Sequence, residues 1–117
     1  MDFNVQIKGN TVIASIKGEL DDHVAKNIRE KLDFLLLRKE VKNIIFDLCG
    51  LTLMDSAGIG LMIGRYKTIK MRKGQALIVV GNSHAKKILK MSGMMNLFRC
   101  YETLDEALSA VQKTALI

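Results

Sequence analysis

The chain has 117 residues, of which 49% are hydrophobic, and its formal net charge is +6. This length suits one domain with one core, and the apolar fraction excludes a disordered chain, so we expect a single domain over residues 1–117. Because no apolar run reaches the roughly 20 residues of a membrane span and the N-terminus lacks a secretory signal, the sequence predicts a soluble cytoplasmic protein without a membrane partner.

The chain opens with a pattern that is typical of two paired strands. Apolar and polar residues alternate in residues 3–7 and again in residues 12–16, with the turn-forming pair Gly9-Asn10 between them. This pattern predicts a β-hairpin. Asp21 or Asp22 then stands where it can cap a helix that runs to about Arg38, since the apolar residues there follow the helical period.

The middle of the chain predicts a strand followed by a helix. The apolar run of residues 44–46 ends in Asp47-Leu48, and the run 44–48 is expected to be a central strand that is covered on both faces. Gly50 and the following loop should end this strand. A helix from Ser56 to about Met71 should then bury a stripe consisting of Ile59, Met62, Ile63, Tyr66 and Ile69. Ser56 is therefore expected at a helix N-terminus, with its hydroxyl exposed beside unpaired backbone N–H groups.

The rest of the chain continues the alternation of strands and helices. Residues 76–80 predict a strand, and residues 81–83 a loop and cap for a helix that runs through about Met91. A short strand is expected near residues 99–101, and Thr103 with Glu106 has the capping-box spacing of a last helix. The fold class is therefore α/β, with a mixed central sheet of about five strands, a hairpin followed by parallel crossovers, and about four flanking helices. Sites in such sheets lie at the carboxyl ends of the strands, where Asp21 and residues 47–56 fall.

Ser56 is the strongest candidate for a functional residue, and two interpretations of it rest on the residues alone. Serine is a favoured helix N-cap, so its role could be structural. A serine hydrolase is the enzymatic alternative. However, residues 54–58 lack the first glycine of the G-x-S-x-G motif, and only His23 and His84 are available as a base.

No cofactor is predicted from the polar residues. Glycines 58, 60 and 64 do not match either nucleotide-binding fingerprint. Carboxylates from separate loops could meet at one end of the sheet, but capping and partner contact are commoner uses than metal binding; these are Asp21, Asp22, Asp47 and Asp55. Cys49 and Cys100 suggest neither a disulfide framework nor a zinc site, and both are predicted to be buried or half-buried.

The basic residues concentrate in residues 65–73 and 86–90. A solvated helix face is the commonest reason for such runs, and nucleic-acid binding is the alternative. With no Trp, two Tyr and no recognisable motif, the sequence predicts no nucleic-acid partner.

Residues 47–66, DLCGLTLMDSAGIGLMIGRY, resemble the phosphoacceptor segment of the STAS family, which includes the anti-sigma-factor antagonists of Gram-positive bacteria. Gly18-Glu19-Leu20-Asp21 resembles a second signature of the family, and residues 91–94 resemble the end of its third helix. Cys49 departs from the serine or acidic residue that relatives often have. The likeness covers essentially the whole chain, implies the STAS fold, and points to the family's sporulation members in the sigma F pathway.

The resemblance implies a regulatory protein that is not an enzyme. Its unphosphorylated form is expected to bind an anti-sigma factor that is also a serine kinase, and so to release the sigma factor. Phosphorylation at Ser56 inactivates it, and a PP2C-type phosphatase restores it. ATP and magnesium belong to the kinase, so the chain needs no cofactor. A STAS scaffold of the stressosome kind, or another partner-switching pathway, is the alternative.

The resemblance also assigns partner contacts. Asp21 is expected to anchor a basic residue of the kinase. The other predicted contacts surround the phosphoacceptor and comprise Asp55, Ser56, Gly58, Ile59, Gly60, Leu61 and Met62. Leu61 is expected to be exposed because it falls off the inward stripe of the helix.

Overall fold

The structure is a computed structural model that describes the backbone of residues 3–115 and the side chains of residues 3–112. Within that range the chain forms five strands and five helices. In chain order they are β1 (Phe3–Lys8), β2 (Thr11–Leu20), α1 (Asp22–Leu35), β3 (Asn43–Met54), α2 (Ser56–Met71), β4 (Ala76–Val79), α3 (Ser83–Met91), α4 (Met94–Leu97), β5 (Arg99–Tyr101) and α5 (Leu104–Ala115). Every predicted strand and helix is present, and α4 is an additional single turn.

The five strands form one sheet in the order β1-β2-β3-β4-β5. β1 is antiparallel to β2, and Lys8 pairs with Thr11, so Gly9-Asn10 is the two-residue loop of the predicted hairpin. The pairs β2–β3, β3–β4 and β4–β5 are parallel. The predicted mixed sheet, with a hairpin followed by parallel crossovers, is therefore confirmed.

The side chains of β3 alternate between two apolar clusters. Ile44 and Phe46 pack in a cluster with residues of α1, α2, α3 and α4, whereas Ile45 packs with Ala107 and Val111 of α5. All three residues of β3 are fully buried. The first four helices thus cover one face of the sheet and α5 covers the other, which confirms the prediction of a central strand covered on both faces.

The prediction that β3 ends at Gly50 is wrong. The strand continues to Met54 because β2 also extends, so that Lys17 pairs with Gly50 and Leu20 pairs with Met54. A Cβ on Gly50 would lie 2.7 Å from Cγ of Lys17, so the glycine permits a close approach of the two strands. Since β4 pairs only with residues 44–47 of β3, the last part of β3 projects beyond β4.

Arg65 of α2 and Arg72, the C-cap residue of that helix, are turned toward α1. The Arg65 side chain is 14% exposed, and its Nε lies 3.4 Å from a carboxylate oxygen of Asp33. Arg72 donates to three carbonyl oxygens at and just after the end of α1, those of Leu36, Arg38 and Val41. Because the last carbonyl groups of a helix lack partners within it, Arg72 stabilises this end of α1. The predicted solvated face is therefore confirmed for the lysines of α2 and wrong for these two arginines.

Candidate functional site

The ends of β2 and β3 bring two aspartates to the same edge of the sheet. Leu20 and Met54 are register partners at the end of the parallel pair, and Asp21 and Asp55 directly follow them. The backbone N–H of Asp55 donates to the Leu20 carbonyl oxygen at 3.3 Å. Because α1 and α2 begin at the next residues, the N-termini of the two helices lie side by side at the predicted edge.

Asp21 is the N-cap of α1 and is half-buried. Its Oδ1 accepts a hydrogen bond from the Val24 backbone N–H at 3.0 Å, which confirms that an aspartate caps this helix. Within residues 3–115 its second carboxylate oxygen accepts no hydrogen bond. The cap therefore leaves one oxygen for a partner, and the anchoring role of Asp21 remains a prediction.

Asp55 caps α2 in the same way and leaves Ser56 at the first position of the helix. One oxygen of Asp55 accepts hydrogen bonds from the backbone N–H groups of Ala57 at 2.9 Å and Gly58 at 3.3 Å. Ser56 is exposed, and its hydroxyl has no hydrogen-bond partner in the described part of the chain. The predicted exposure of Ser56 at a helix N-terminus is confirmed, and the capping role belongs to Asp55.

The glycines near Ser56 differ in their surroundings. Gly58 is buried, and a Cβ at this position would lie 2.6 Å from Cγ of Met54 and 2.9 Å from Cδ2 of Leu20. Gly60 is exposed, and a Cβ there would meet no atom within 4 Å. Gly58 thus allows α2 to begin close against the two strands, whereas packing within the chain does not explain Gly60.

The prediction that Leu61 is exposed is wrong, because its exposed fraction is 3%. Met62 beside it is fully buried, and both belong to the cluster on the helix-covered face of the sheet. α2 contacts α1 as well as β3 and β4, so its buried face is wider than a single inward stripe. Of the three predicted apolar contacts on α2, only the half-buried Ile59 can reach a partner without rearrangement.

Leu53 is an exposed residue beside the serine that sequence reasoning missed. It lies on the projecting end of β3 and is 55% exposed, although Leu51 on the same strand is 1% exposed. The first turn of α3 contacts this segment through a hydrogen bond, because His84 Nε2 lies 3.0 Å from the Thr52 carbonyl oxygen. Leu53 therefore offers an exposed apolar side chain three residues before Ser56, where a partner that contacts the serine could reach it. Only the length of β3, which the sequence did not reveal, places it there.

The arrangement does not resemble the active site of a serine hydrolase. Nε2 of His84 already forms a hydrogen bond with the Thr52 carbonyl oxygen, and His23 is exposed on α1. Among the residues that the structure describes, neither histidine has a hydrogen bond to Ser56. The described residues therefore show no histidine paired with Ser56 in the way that a hydrolase base is paired with its nucleophile.

Cys49 is exposed, so the prediction of a buried or half-buried residue is wrong for it and confirmed for Cys100. Desolvation of the sulfur and then the nearby Asp47 carboxylate raise the pKa of the Cys49 thiol above its usual value, which disfavours a reactive thiolate.

In the described range no group of three or more His, Cys, Asp or Glu residues could hold a metal ion. None of the helices described is long and apolar enough to cross a membrane.

Comparisons with known proteins agree with this geometry. The family model of the STAS domain matches residues 2–107. The anti-sigma F factor antagonist of Paenibacillus polymyxa is 31% identical over 114 residues, which cover 94% of this chain and 97% of that protein. The structure of the anti-sigma factor antagonist SpoIIAA in its unphosphorylated form aligns with a TM-score of 0.82 and 27% identity, covering 96% of this chain and 97% of that one. The structure of the Bacillus cell fate determinant SpoIIAA in the phosphorylated form aligns with a TM-score of 0.75 and 28% identity, covering 94% and 99%. This chain belongs to the STAS domain family.

Proposed function

We propose that the chain is an anti-sigma-factor antagonist that is switched off by phosphorylation of Ser56. Its unphosphorylated form binds an anti-sigma factor that is also a serine kinase, and this binding releases the sigma factor. A PP2C-type phosphatase restores the active form. The name of the similar Paenibacillus polymyxa protein supports the sigma F pathway of sporulation, and the existence of SpoIIAA in two phosphorylation states supports a phosphate switch.

The observation that carries the proposal is the exposure of Ser56 at the first position of α2, within a surface suited to a partner. We call this the docking surface and define it as the exposed or half-buried residues at the end of β3 and the starts of α1 and α2, namely Asp21, Leu53, Asp55, Ser56, Ile59 and Gly60. It combines two carboxylates, two apolar side chains and an open glycine around one hydroxyl. Leu61 and Met62 lie beneath this surface and support it.

A phosphate on Ser56 can be accommodated by the fold because of its place at a helix N-terminus. Phosphorylation adds a charge of about −1.5 to −2, and a negative charge near the N-terminus of a helix is stabilised by about 0.3–1 kcal/mol. The Asp55 carboxylate already accepts from the Ala57 and Gly58 N–H groups. The phosphate therefore remains on the solvent side of this cap, where its charge faces a bound partner.

The charge of a phosphate on Ser56 is large enough to weaken binding to the kinase strongly. If the kinase presents one carboxylate about 4 Å from the phosphate, the repulsion is about 4 kcal/mol at an effective dielectric constant of 20. This corresponds to a loss of nearly a thousandfold in affinity. The switch thus requires no large conformational change.

Incubation with the cognate kinase and magnesium ATP tests the proposal directly. We expect one phosphate per chain, located at Ser56 by peptide mass spectrometry, and none on Ser56→Ala. Ser83 provides a matched control because it is also exposed at the first position of a helix, after the N-cap Asn82. Ser83→Ala should therefore be phosphorylated like the wild type. Phosphate on Ser83, or none on Ser56 with a kinase of verified activity, would overturn the proposal.

The proposal assigns no catalytic chemistry to the chain itself. ATP and magnesium are used by the kinase, and Ser56 acts only as its substrate. Because no base contacts Ser56 in the described residues, a fluorophosphonate probe should leave it unlabelled. Labelling of Ser56 that is abolished by His23→Ala or His84→Ala would instead support a hydrolase.

A further inference from the structure

The charges of the chain are distributed unevenly along the sequence. Residues 56–101 contain nine Lys or Arg residues and no Asp or Glu, so they carry a charge of +9 while the remaining residues carry −3. Arg65 and Arg72 are held against α1. In the described part of the chain the other seven make no ion pair; they are Lys67, Lys70, Lys73, Lys86, Lys87, Lys90 and Arg99.

Two helices of this segment end in the same pattern. Residues 67–71 at the end of α2 are KTIKM, and residues 87–91 at the end of α3 are KILKM. In both, the two lysines and the methionine are exposed and the residue before the second lysine is fully buried. Met71 and Met91 are 85% and 80% exposed. Each helix therefore ends with two cations and a large apolar side chain in water, and neither methionine contributes to the core.

The two helix ends lie on the side of the molecule opposite Ser56. A crossover helix runs back along the sheet, so α2 and α3 end where β4 and β5 begin. A cavity of about 230 Å³ is lined by Lys70 of α2, Leu97 of α4 and Arg99 of β5. Since α3 packs against α4, the ends of α2 and α3 both adjoin the α4–β5 segment. Because α2 has 16 residues, this end is about 24 Å from Ser56.

We propose that these residues bind the surface of a bilayer that contains anionic phospholipids. We call this the basal surface and define it as residues 67–71 and 87–91 with Leu97 and Arg99. Its unpaired positive charges complement the lipid phosphates, and each lysine near an anionic membrane strengthens binding about fivefold. The exposed methionines are placed to enter the boundary between headgroups and acyl chains.

The composition of the basal surface favours an anionic lipid surface over a protein partner or single-stranded nucleic acid. Protein interfaces are depleted in lysine and enriched in aromatic residues, whereas this surface is rich in lysine. Single-stranded nucleic acid is bound with exposed aromatic side chains, but the neighbouring Tyr66 is half-buried and Phe98 is buried. The proposal is independent of Ser56. It departs from the expectation of no membrane partner, which rested on the lack of a spanning segment and of a secretory signal, because binding to a bilayer surface requires neither.

Sedimentation with vesicles tests the proposal. The wild-type chain should bind vesicles of phosphatidylglycerol and phosphatidylcholine at low salt, should not bind vesicles of phosphatidylcholine alone, and should be released as salt rises. The double variant Lys87→Glu/Lys90→Glu should lose at least about 20-fold in partition. The matched control Lys17→Glu/Lys26→Glu makes the same change of charge at exposed lysines on the Ser56 side of the molecule, toward the end of β2 and near the start of α1, and it should retain binding within about twofold.

A second variant separates the apolar contribution from the charge. Met71→Ser/Met91→Ser keeps all charges and should lose about tenfold in partition, including at moderate salt. Thermal melting verifies the fold of each variant, and Lys67→Glu/Lys70→Glu replaces the α3 variant if that one unfolds. The proposal is overturned if the wild type does not bind anionic vesicles at low salt, or if the control loses as much binding as the α3 variant. Tight binding to duplex DNA without binding to the vesicles would assign the surface to nucleic acid instead.

Discussion

The starts of α1 and α2 are built alike and differ in one chemical respect. Each helix follows a strand end of the parallel β2–β3 pair, and each is capped by an aspartate, Asp21 or Asp55, that accepts first-turn N–H groups. The first position of α1 is Asp22, whereas the first position of α2 is Ser56. α1 thus begins with a permanent negative charge, while α2 begins with a group that can acquire one.

This difference shows why phosphorylation need not disturb the fold. An acidic residue in the first turn interacts favourably with the helix dipole, and α1 already has this arrangement next to α2. A phosphate on Ser56 gives α2 the same kind of first turn. The effect of the phosphate is therefore expected at the docking surface, and stability should change little.

The largest effect on stability is expected at the third position of the helices, where α1 has Val24 and α2 has Gly58. A Cβ on Gly58 would lie too close to Met54 and Leu20, so Gly58→Ala should lower the free energy of unfolding by about 2 kcal/mol. Gly64 in the same helix has open space around its Cα, and Gly64→Ala should raise it by about 1 kcal/mol. Urea denaturation measures the free energy of unfolding of both variants. Equal stabilisation by Gly58→Ala and Gly64→Ala would contradict the close packing of Gly58 against Met54 and Leu20.

The two caps should contribute unequally. Asp55 accepts from two N–H groups and Asp21 from one, so Asp55→Ala should lower the free energy of unfolding by somewhat more than Asp21→Ala, each by about 1 kcal/mol. Asp21→Asn separates the cap from the charge, because asparagine is an equally good N-cap. It should preserve stability and weaken kinase binding. If Asp21→Asn binds the kinase like the wild type in a titration, Asp21 has only a capping role.

Replacement of Gly60 by alanine should affect stability as the same change at Gly64 does, but the two changes should differ in their effect on kinase binding. Both positions have open space, so Gly60→Ala should also raise the free energy of unfolding by about 1 kcal/mol. Gly60 belongs to the docking surface, and a methyl group there should weaken kinase binding, whereas Gly64→Ala should not. The absence of any difference in affinity between the two variants would remove Gly60 from the docking surface.

The smallest effect on stability is expected for a charge on the first residue of α2. Ser56→Asp gives α2 the beginning that α1 already has. The favourable interaction with the helix dipole, about 0.3–1 kcal/mol, is partly offset by repulsion from the adjacent Asp55 carboxylate, so the free energy of unfolding should change by less than about 0.5 kcal/mol. Asp22→Ser makes the reverse change in α1 and should have an effect of similar size. Thermal melting of both variants measures these changes in stability. A large loss of stability in Ser56→Asp would show that the fold does not tolerate the charge.

The periodicity of the sequence was sufficient to predict the order of the elements because each amphipathic helix and each apolar strand depends mainly on its own residues. The length of β3 could not be predicted in this way. Gly50 resembles a strand end, and only the pairing with an extended β2 shows that the strand continues to Met54. The exposure of Leu53 depends on the same pairing.

At the candidate site, the exposure of Ser56 and the aspartate cap of α1 were predictable because capping is local. For α2 the sequence offered Ser56 as the N-cap, whereas the structure gives that role to Asp55. The environment of Leu61 was not predictable, since it depends on α1 lying beside α2. Arg65 and Arg72 are similar cases, because the sequence shows their charge but not the groups of α1 that they bind. Tertiary contacts thus determined the surroundings of Leu61, Arg65 and Arg72.

The affinity of the chain for its kinase, measured by titration calorimetry before and after phosphorylation of Ser56, tests the central claim most directly. Unmodified protein and Ser56→Ala should bind with similar affinity, and the phosphorylated protein should bind nearly a thousandfold more weakly. Equal affinities for the phosphorylated and unmodified forms would contradict the account.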